Sequence, residues 1–260
     1  MKLWRRRVAE RPGMRGWTRF DRRDADQAEL SRKFARSPME RLFYSHDGRS
    51  AAKWHHYLAL YDRHVEPFRG THVRLLELGV LHGGSLQLWR DYLGDQAVIH
   101  GIDIDERCAT ISEPGITVHV GDASDPTLLR EVVREMGGID ILIDDASHLS
   151  EHQIAAFEAI WPLLADDGIY ICEDLHASYW QALGGGYLET GSFIEYVKHL
   201  VDRLHVRYVD DERLDRDETF ARQCRGIHIY DSMVVLEKDE RRPEPFHTMV
   251  GRTQLPAAEP

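Results

Sequence analysis

Short apolar runs that end in acids recur along this chain, and they limit the folds open to it. Residues 139–148 read Ile-Asp-Ile-Leu-Ile-Asp-Asp-Ala-Ser-His. Ile139 to Ile143 has the β-branched make-up of a strand buried on both faces. It closes on Asp144 and Asp145, with His148 three residues beyond the second acid. Further on, Gly168-Ile-Tyr-Ile-Cys172 closes in the same way on Glu173 and Asp174. In an open parallel sheet, reactive groups collect outside the carboxyl ends of the strands. Two such strands side by side, roughly 4.8 Å apart, crowd four carboxylates onto one patch. Like charges at that range raise one another's pKa values unless a cation intervenes, and oxygen-rich sites suit hard ions such as Mg²⁺. The expectation is a metal site with His148 beside it.

The rest of the chain alternates in the manner of an α/β domain. Strands are expected at 73–79, 98–103, 116–120, 139–143 and 168–172, followed by a terminal pair at 226–231 and 232–237. An amphipathic helix is expected from Ser50 to near Pro67, carrying Trp54, Tyr57, Leu58, Tyr61 and Val65 at spacings of three and four. Further helices are expected after Ser85, over Pro126–Met136 with Asp125 as N-cap, over Glu151–Leu164 with Ser150 as cap, and near Ser192–Leu204. Trp180 to Gly186 holds three consecutive glycines and reads as a flexible loop placed as a lid. The divisions are 1–48, a basic and irregular segment, 49–240, the α/β domain, and 241–260, a surface tail.

Charge and cysteine content narrow the partners. The net charge of −11 argues against a nucleic-acid footprint on the main body. Lys2 and eight arginines in positions 1–23 fit a solvated terminus better than a nucleic-acid arm. No apolar run reaches bilayer length, and the basic start has no apolar stretch behind it as a secretory signal requires. Three cysteines off metal spacing make a reduced cytoplasmic setting the expectation.

The first strand turns through Glu77-Leu-Gly79-Val-Leu-His-Gly83-Gly84-Ser85. This is not Gly-x-Gly-x-x-Gly, so no pyrophosphate cradle is offered, and Glu77 would repel one. A carboxylate there suits a ligand with a cationic head. S-adenosylmethionine carries an ammonium, a sulfonium and a ribose diol without phosphate. Asp103, at the end of the second strand, is placed for the ribose hydroxyls, and Asp122, after the third, for the adenine amino group. Glu77, Gly79 and Ser85 belong to the same pocket, Tyr57 leans over it, and Asp144 either lines it or caps the helix that follows.

At these residues the chain resembles the class I S-adenosylmethionine-dependent methyltransferases, over about residues 70–237. Leu-Glu-Leu-Gly at 76–79, Ile-Asp-Asp-Ala-Ser-His-x-x-x-His-Gln at 143–153, Glu-Asp-x-x-x-Ser-Tyr-Trp at 173–180 and Ile-His-x-Tyr-Asp-Ser at 227–232 look like the metal-dependent sugar O-methyltransferases of antibiotic biosynthesis. Those enzymes are in turn similar to cephalosporin-hydroxylase-like proteins. The resemblance implies a single Rossmann-like domain, with a mostly parallel seven-stranded sheet and an antiparallel C-terminal hairpin. It implies Asp145, Glu173 and Asp174 as Mg²⁺ ligands, His148 as general base, a small-molecule glycoside as acceptor, and a homo-oligomer. A catechol-type acceptor, or a role as partner of a tailoring hydroxylase, stands as the alternative. His176 and Tyr179 either reach the acceptor or pack, His152 is read as structural, and His55 and His56 as helix surface.

Overall fold

A computed structural model describes residues 26–251 apart from Ser112, Arg241 and Arg242. The expectations for the arginine-rich stretch 1–23 lie outside the described residues. The strands are β1 (Arg74–Leu78), β2 (Val98–Asp103), β3 (Ile116–Val120), β4 (Ile139–Asp144), β5 (Leu164–Cys172), β6 (Cys224–Tyr230) and β7 (Met233–Lys238). They form one sheet in the order β3-β2-β1-β4-β5-β7-β6. β1 to β5 run parallel, and β7 enters antiparallel between β5 and β6. This is the mostly parallel seven-stranded sheet with a terminal hairpin that the sequence implies.

Consecutive strand residues are apolar because both faces are covered. Leu76, Leu78, Leu142, Tyr170 and Cys172 face α5 (Pro126–Met136), α6 (Ser150–Ile160), α7 (Phe193–Leu204) and α8 (Thr219–Gln223). Leu75, Ile99, Ile141, Ile143, Ile169 and Ile171 face α2 (Pro38–Ser45), α3 (His55–Val65) and α4 (Gly84–Leu93). The chain winds outward through β1, β2 and β3 and then returns to place β4 on the other side of β1. The crevice between β1 and β4 is thus the switch point where such sheets bind ligands.

Four local expectations are corrected. Residues 26–45, read as irregular, fold into α1 (Gln27–Phe34) and α2. Asp26 caps the first helix, and Ser37 and Glu40 form a capping box on the second with Pro38 in its first turn. Met39 and Tyr44 of α2 enter the core. The helix expected from Ser50 begins only at His55, and the backbone before it is extended.

α6 includes Ser150, follows Leu149 without a side-chain cap, and stops at Ile160. Pro162 then diverts the chain into a single tight turn, and β5 starts at Leu164. The glycine-rich stretch is structured: Gly185 and Gly186 donate backbone bonds to Trp180 and Ser178, and a Cβ on Gly185 would sit 2.1 Å from the Ser178 carbonyl oxygen. Among the described residues no helix is long and apolar enough to cross a membrane.

Candidate active site

The acids emerge where β4 and β5 end together. Asp144 pairs with Leu78 on one side and Cys172 on the other. The ladder then continues one residue further, with Asp145 N donating to Leu78 O and Glu173 N to Asp144 O, both at 2.9 Å. Alternation along a strand sends successive side chains to opposite faces. Asp144 therefore goes to the α6 face, where it is buried and accepts from the Tyr170 hydroxyl at 3.3 Å. Burial pushes its carboxyl up to about 6. Asp145 and Glu173 go to the α3 face. Asp174 and His148 then turn through left-handed backbone, φ +55° and +56°.

A residue that the sequence reading passed over organises the α3 face. The Lys53 Nζ lies 2.6 Å from Asp145 Oδ2, 2.9 and 3.0 Å from the two Glu173 oxygens, and 3.3 Å from Glu77 Oε1. Its side chain is 4% exposed. Burial opposes the charge, but Asp145, Glu173 and Glu77 outweigh it and hold Lys53 well above the ordinary lysine range. The partners lie up to 120 residues away, so spacing gives no hint of them. Lys53 precedes the first turn of α3, so no helical period in the sequence sets it beside Tyr57 and Tyr61 either.

Those hydroxyls complete the frame. Tyr61 donates to Glu173 Oε1 at 2.5 Å. Tyr57, expected over the cofactor, is fully buried and instead donates to Asp174 Oδ1 at 2.9 Å and to Ser232 O at 2.8 Å. Trp54 Nε1 donates to the same Asp174 oxygen at 3.0 Å. Burial and the charge of Asp145 raise the Glu173 carboxyl well above the usual range.

Asp145 and Asp174 thus each commit one oxygen to this frame and turn the other toward His148. His148 Nε2 is 3.5 Å from Asp174 Oδ2 and 3.9 Å from Asp145 Oδ1. Donor atoms of Asp145, His148 and Asp174 all lie within 4.8 Å of one another, within reach of a single metal ion. Glu173 joins the group only through Lys53 and Tyr61. Two free carboxylate oxygens and an adjacent buried carboxylate are a donor set that fits a hard divalent ion.

The pocket expected for the methyl donor lies along β1, β2 and β3. Glu77 is fully buried and accepts from Ser85 Oγ at 2.7 Å. Gly79 has φ +91°, and a Cβ there would meet the Asp145 carbonyl oxygen at 2.3 Å, so only glycine lets the β1 turn pass this close to β4. Asp103 accepts from Val80 N, Leu81 N and Asp105 N, which fixes that turn. Asp122 accepts from the backbone and hydroxyl of Ser124, and these bonds hold its carboxyl below the usual range.

Around the acids, His152 bonds to the Ser147 hydroxyl at 3.0 Å and so orders the turn after β4. His176 bonds Ser232 and stands edge-on to Trp54 and Trp180. Tyr179 is half exposed at the rim. His55 and His56 are exposed, as expected, and bond Tyr44 and the Asp231 carbonyl.

A family model described as a methyltransferase domain matches residues 76–175, the span from β1 to just past Asp174. The chain is similar to class I methyltransferases. Over 222 residues the chain is 34% identical to the 8-demethyl-8-alpha-L-rhamnosyl tetracenomycin-C 2'-O-methyltransferase of Streptomyces olivaceus, covering 77% of this chain and 58% of the relative. Over 201 residues it is 35% identical to demethylmacrocin O-methyltransferase of Streptomyces fradiae, covering 72% and 50%. The chain therefore spans about half the length of these curated relatives. Its fold superposes with a TM-score of 0.68 on MycE methyltransferase from the mycinamycin biosynthetic pathway, solved with Mg, SAH and mycinamycin VI. That match has 27% identity and covers 89% of this chain and 58% of the other.

Proposed function

We propose that this methyltransferase moves the methyl group of S-adenosylmethionine to a sugar hydroxyl of a glycosylated natural product, with Mg²⁺ bound at the strand tips. The observation that carries the reading is the convergence of Asp145, His148 and Asp174 within 4.8 Å, beside a crevice whose first turn offers no pyrophosphate cradle. The relatives, named for methylation of rhamnosyl and macrolide acceptors, supply the substrate class.

Asp145 and Asp174 would hold the ion, with Glu173 as the third carboxylate, and the ion would supply Lewis-acid polarisation of a sugar hydroxyl. His148 takes the hydroxyl proton at Nε2 while the oxygen bonds to the methyl carbon. S-adenosylmethionine, when bound, would supply the methyl carbon and keep the carbon–sulfur electron pair on its sulfur, leaving as S-adenosylhomocysteine. Glu77 meets the donor's ammonium, Asp103 its ribose hydroxyls and Asp122 its adenine amino group. Tyr57, Trp54 and Tyr61 keep the carboxylates aimed. In this reading the enzyme is cytoplasmic, acts on a small molecule and not on nucleic acid, and works as a homo-oligomer.

The test is a mass-spectrometric methyl-transfer assay with rhamnosylated and catechol acceptors side by side, with and without chelator. A mass gain of one methyl on the glycoside alone, abolished by chelator, is expected. Transfer to the catechol alone, or donor binding without transfer to either acceptor, would overturn the sugar assignment.

A further inference from the structure

A second group of metal-type side chains sits at the opposite edge of the sheet and takes no part in the chemistry above. His64 lies on α3, His228 on β6 and Glu237 on β7. His228 and Glu237 share a face because Gly226 is the residue directly opposite Glu237, and His228 stands diagonal to it. The absent side chain at Gly226 leaves the space between them open, since a Cβ there would lie 3.5 Å from His228 Nε2 and 3.9 Å from Glu237 Oε2.

Both imidazoles aim at one carboxylate oxygen. His228 Nε2 is 3.3 Å and His64 Nδ1 is 3.6 Å from Glu237 Oε1. A tetrahedral ion with ligands about 2.0–2.1 Å away sets neighbouring ligand atoms roughly 3.3 Å apart. The other groups are already oriented as ligation requires. His64 Nε2 meets the Tyr230 hydroxyl at 2.8 Å, and the Arg225 guanidinium donates to Glu237 Oε2 at 3.1 Å. Such outer partners fix ring orientation and leave the inner atoms for the ion. Among the described residues His228 Nε2 is a buried nitrogen that makes no hydrogen bond of acceptable geometry.

We infer that His64, His228 and Glu237 form a binding site for a borderline transition-metal ion such as Zn²⁺, separate from the magnesium site and independent of the proposed reaction. His228, 39% exposed on its side chain, is the entry side, and a fourth position is left for water. The ion ties α3 to the β6–β7 hairpin, and α3 is the helix that positions Asp174 and Glu173.

The full chain titrated with Co²⁺ reads the site directly. Histidine ligation in tetrahedral geometry gives strong visible absorption, whereas an octahedral oxygen site does not. One equivalent of absorbing Co²⁺, displaced by Zn²⁺, is expected in the wild type and in Asp145→Asn. It should be lost or weakened roughly tenfold or more in His228→Ala and in Glu237→Gln. Circular dichroism of each variant controls for folding, and His228, being part-exposed, tolerates truncation where His64 does not. An absent visible band in the wild type, or a band unchanged in His228→Ala, would overturn the assignment.

Discussion

His148 and Asp174 face each other across the tips of β4 and β5, Nε2 to Oδ2 at 3.5 Å, and both hold left-handed backbone. For residues other than glycine that conformation costs on the order of 1–3 kcal/mol and persists only where the surroundings impose it. Here it turns both side chains back over the strand ends instead of letting them continue the alternation of the sheet. A proton acceptor is thereby fixed beside the carboxylate that would hold the ion. We expect His148→Ala to lower kcat by about 10²–10⁴ while the affinity for S-adenosylhomocysteine stays within roughly threefold. Single-turnover kinetics with calorimetry separate the two, and a variant that turns over at the wild-type rate would remove His148 from the reaction.

Asp145 and Asp174 divide their oxygens between the α3 frame and the cluster, so their charge matters more than their shape. Asp174→Asn keeps an acceptor for Tyr57 and Trp54 yet weakens the hold on a divalent ion. Mg²⁺ should raise the melting temperature of the wild type, by the mass-action gain of a ligand bound only to the folded state. In Asp174→Asn the shift should vanish at the same Mg²⁺ concentration. An equal shift in both proteins would place the ion elsewhere.

Much of this architecture is legible in the sequence. The strands are continuous apolar runs bounded by acids or glycines, so β1 to β4 and the hairpin fall within a residue or two of expectation. The acids at 144–145 and 173–174 follow from parallel alternation, because strands of one direction present their carboxyl ends on one edge. What stayed hidden depends on contacts across the chain. Lys53 reads as a surface lysine until α3 folds down on the strand tips. Tyr57 shows its helical period but not which acid its hydroxyl will meet. The two early helices rest on local caps, Asp26 and the Ser37–Glu40 pair, whose signal was submerged by the arginine-rich stretch before them.

Lys53 sets its cation among Glu77, Asp145 and Glu173 on the α3 face, and removing it leaves those carboxylates desolvated without that compensation. Breaking a buried ion pair by deleting one partner costs about 3–5 kcal/mol. Lys53→Met, close in volume, should therefore unfold at clearly lower denaturant than the wild type, with an unchanged m-value. Millimolar Mg²⁺ should restore part of the loss, since a divalent ion supplies the missing positive charge. A midpoint equal to that of the wild type without added metal would show that Lys53 does not hold the acids together.

A pH dependence should come from the other end of the sheet, away from the acids. His100 on β2 is buried, and its Nδ1 lies 2.9 Å from Nε2 of His119 on β3, the rings stacked at 5.1 Å. Burial, then the neighbouring His119, hold His100 below the ordinary histidine range. The unfolded chain therefore binds this proton more readily than the folded one, near the usual value of about 6.5. Stability from this group is fully present above that value and is lost as pH falls through it toward the folded pKa, because stability rises with pH wherever the unfolded state holds more protons. His100→Gln should flatten the slope of unfolding free energy between about pH 7 and pH 5, measured by urea denaturation at intervals across the window. A slope as steep in His100→Gln as in the wild type would assign the acid sensitivity to other groups.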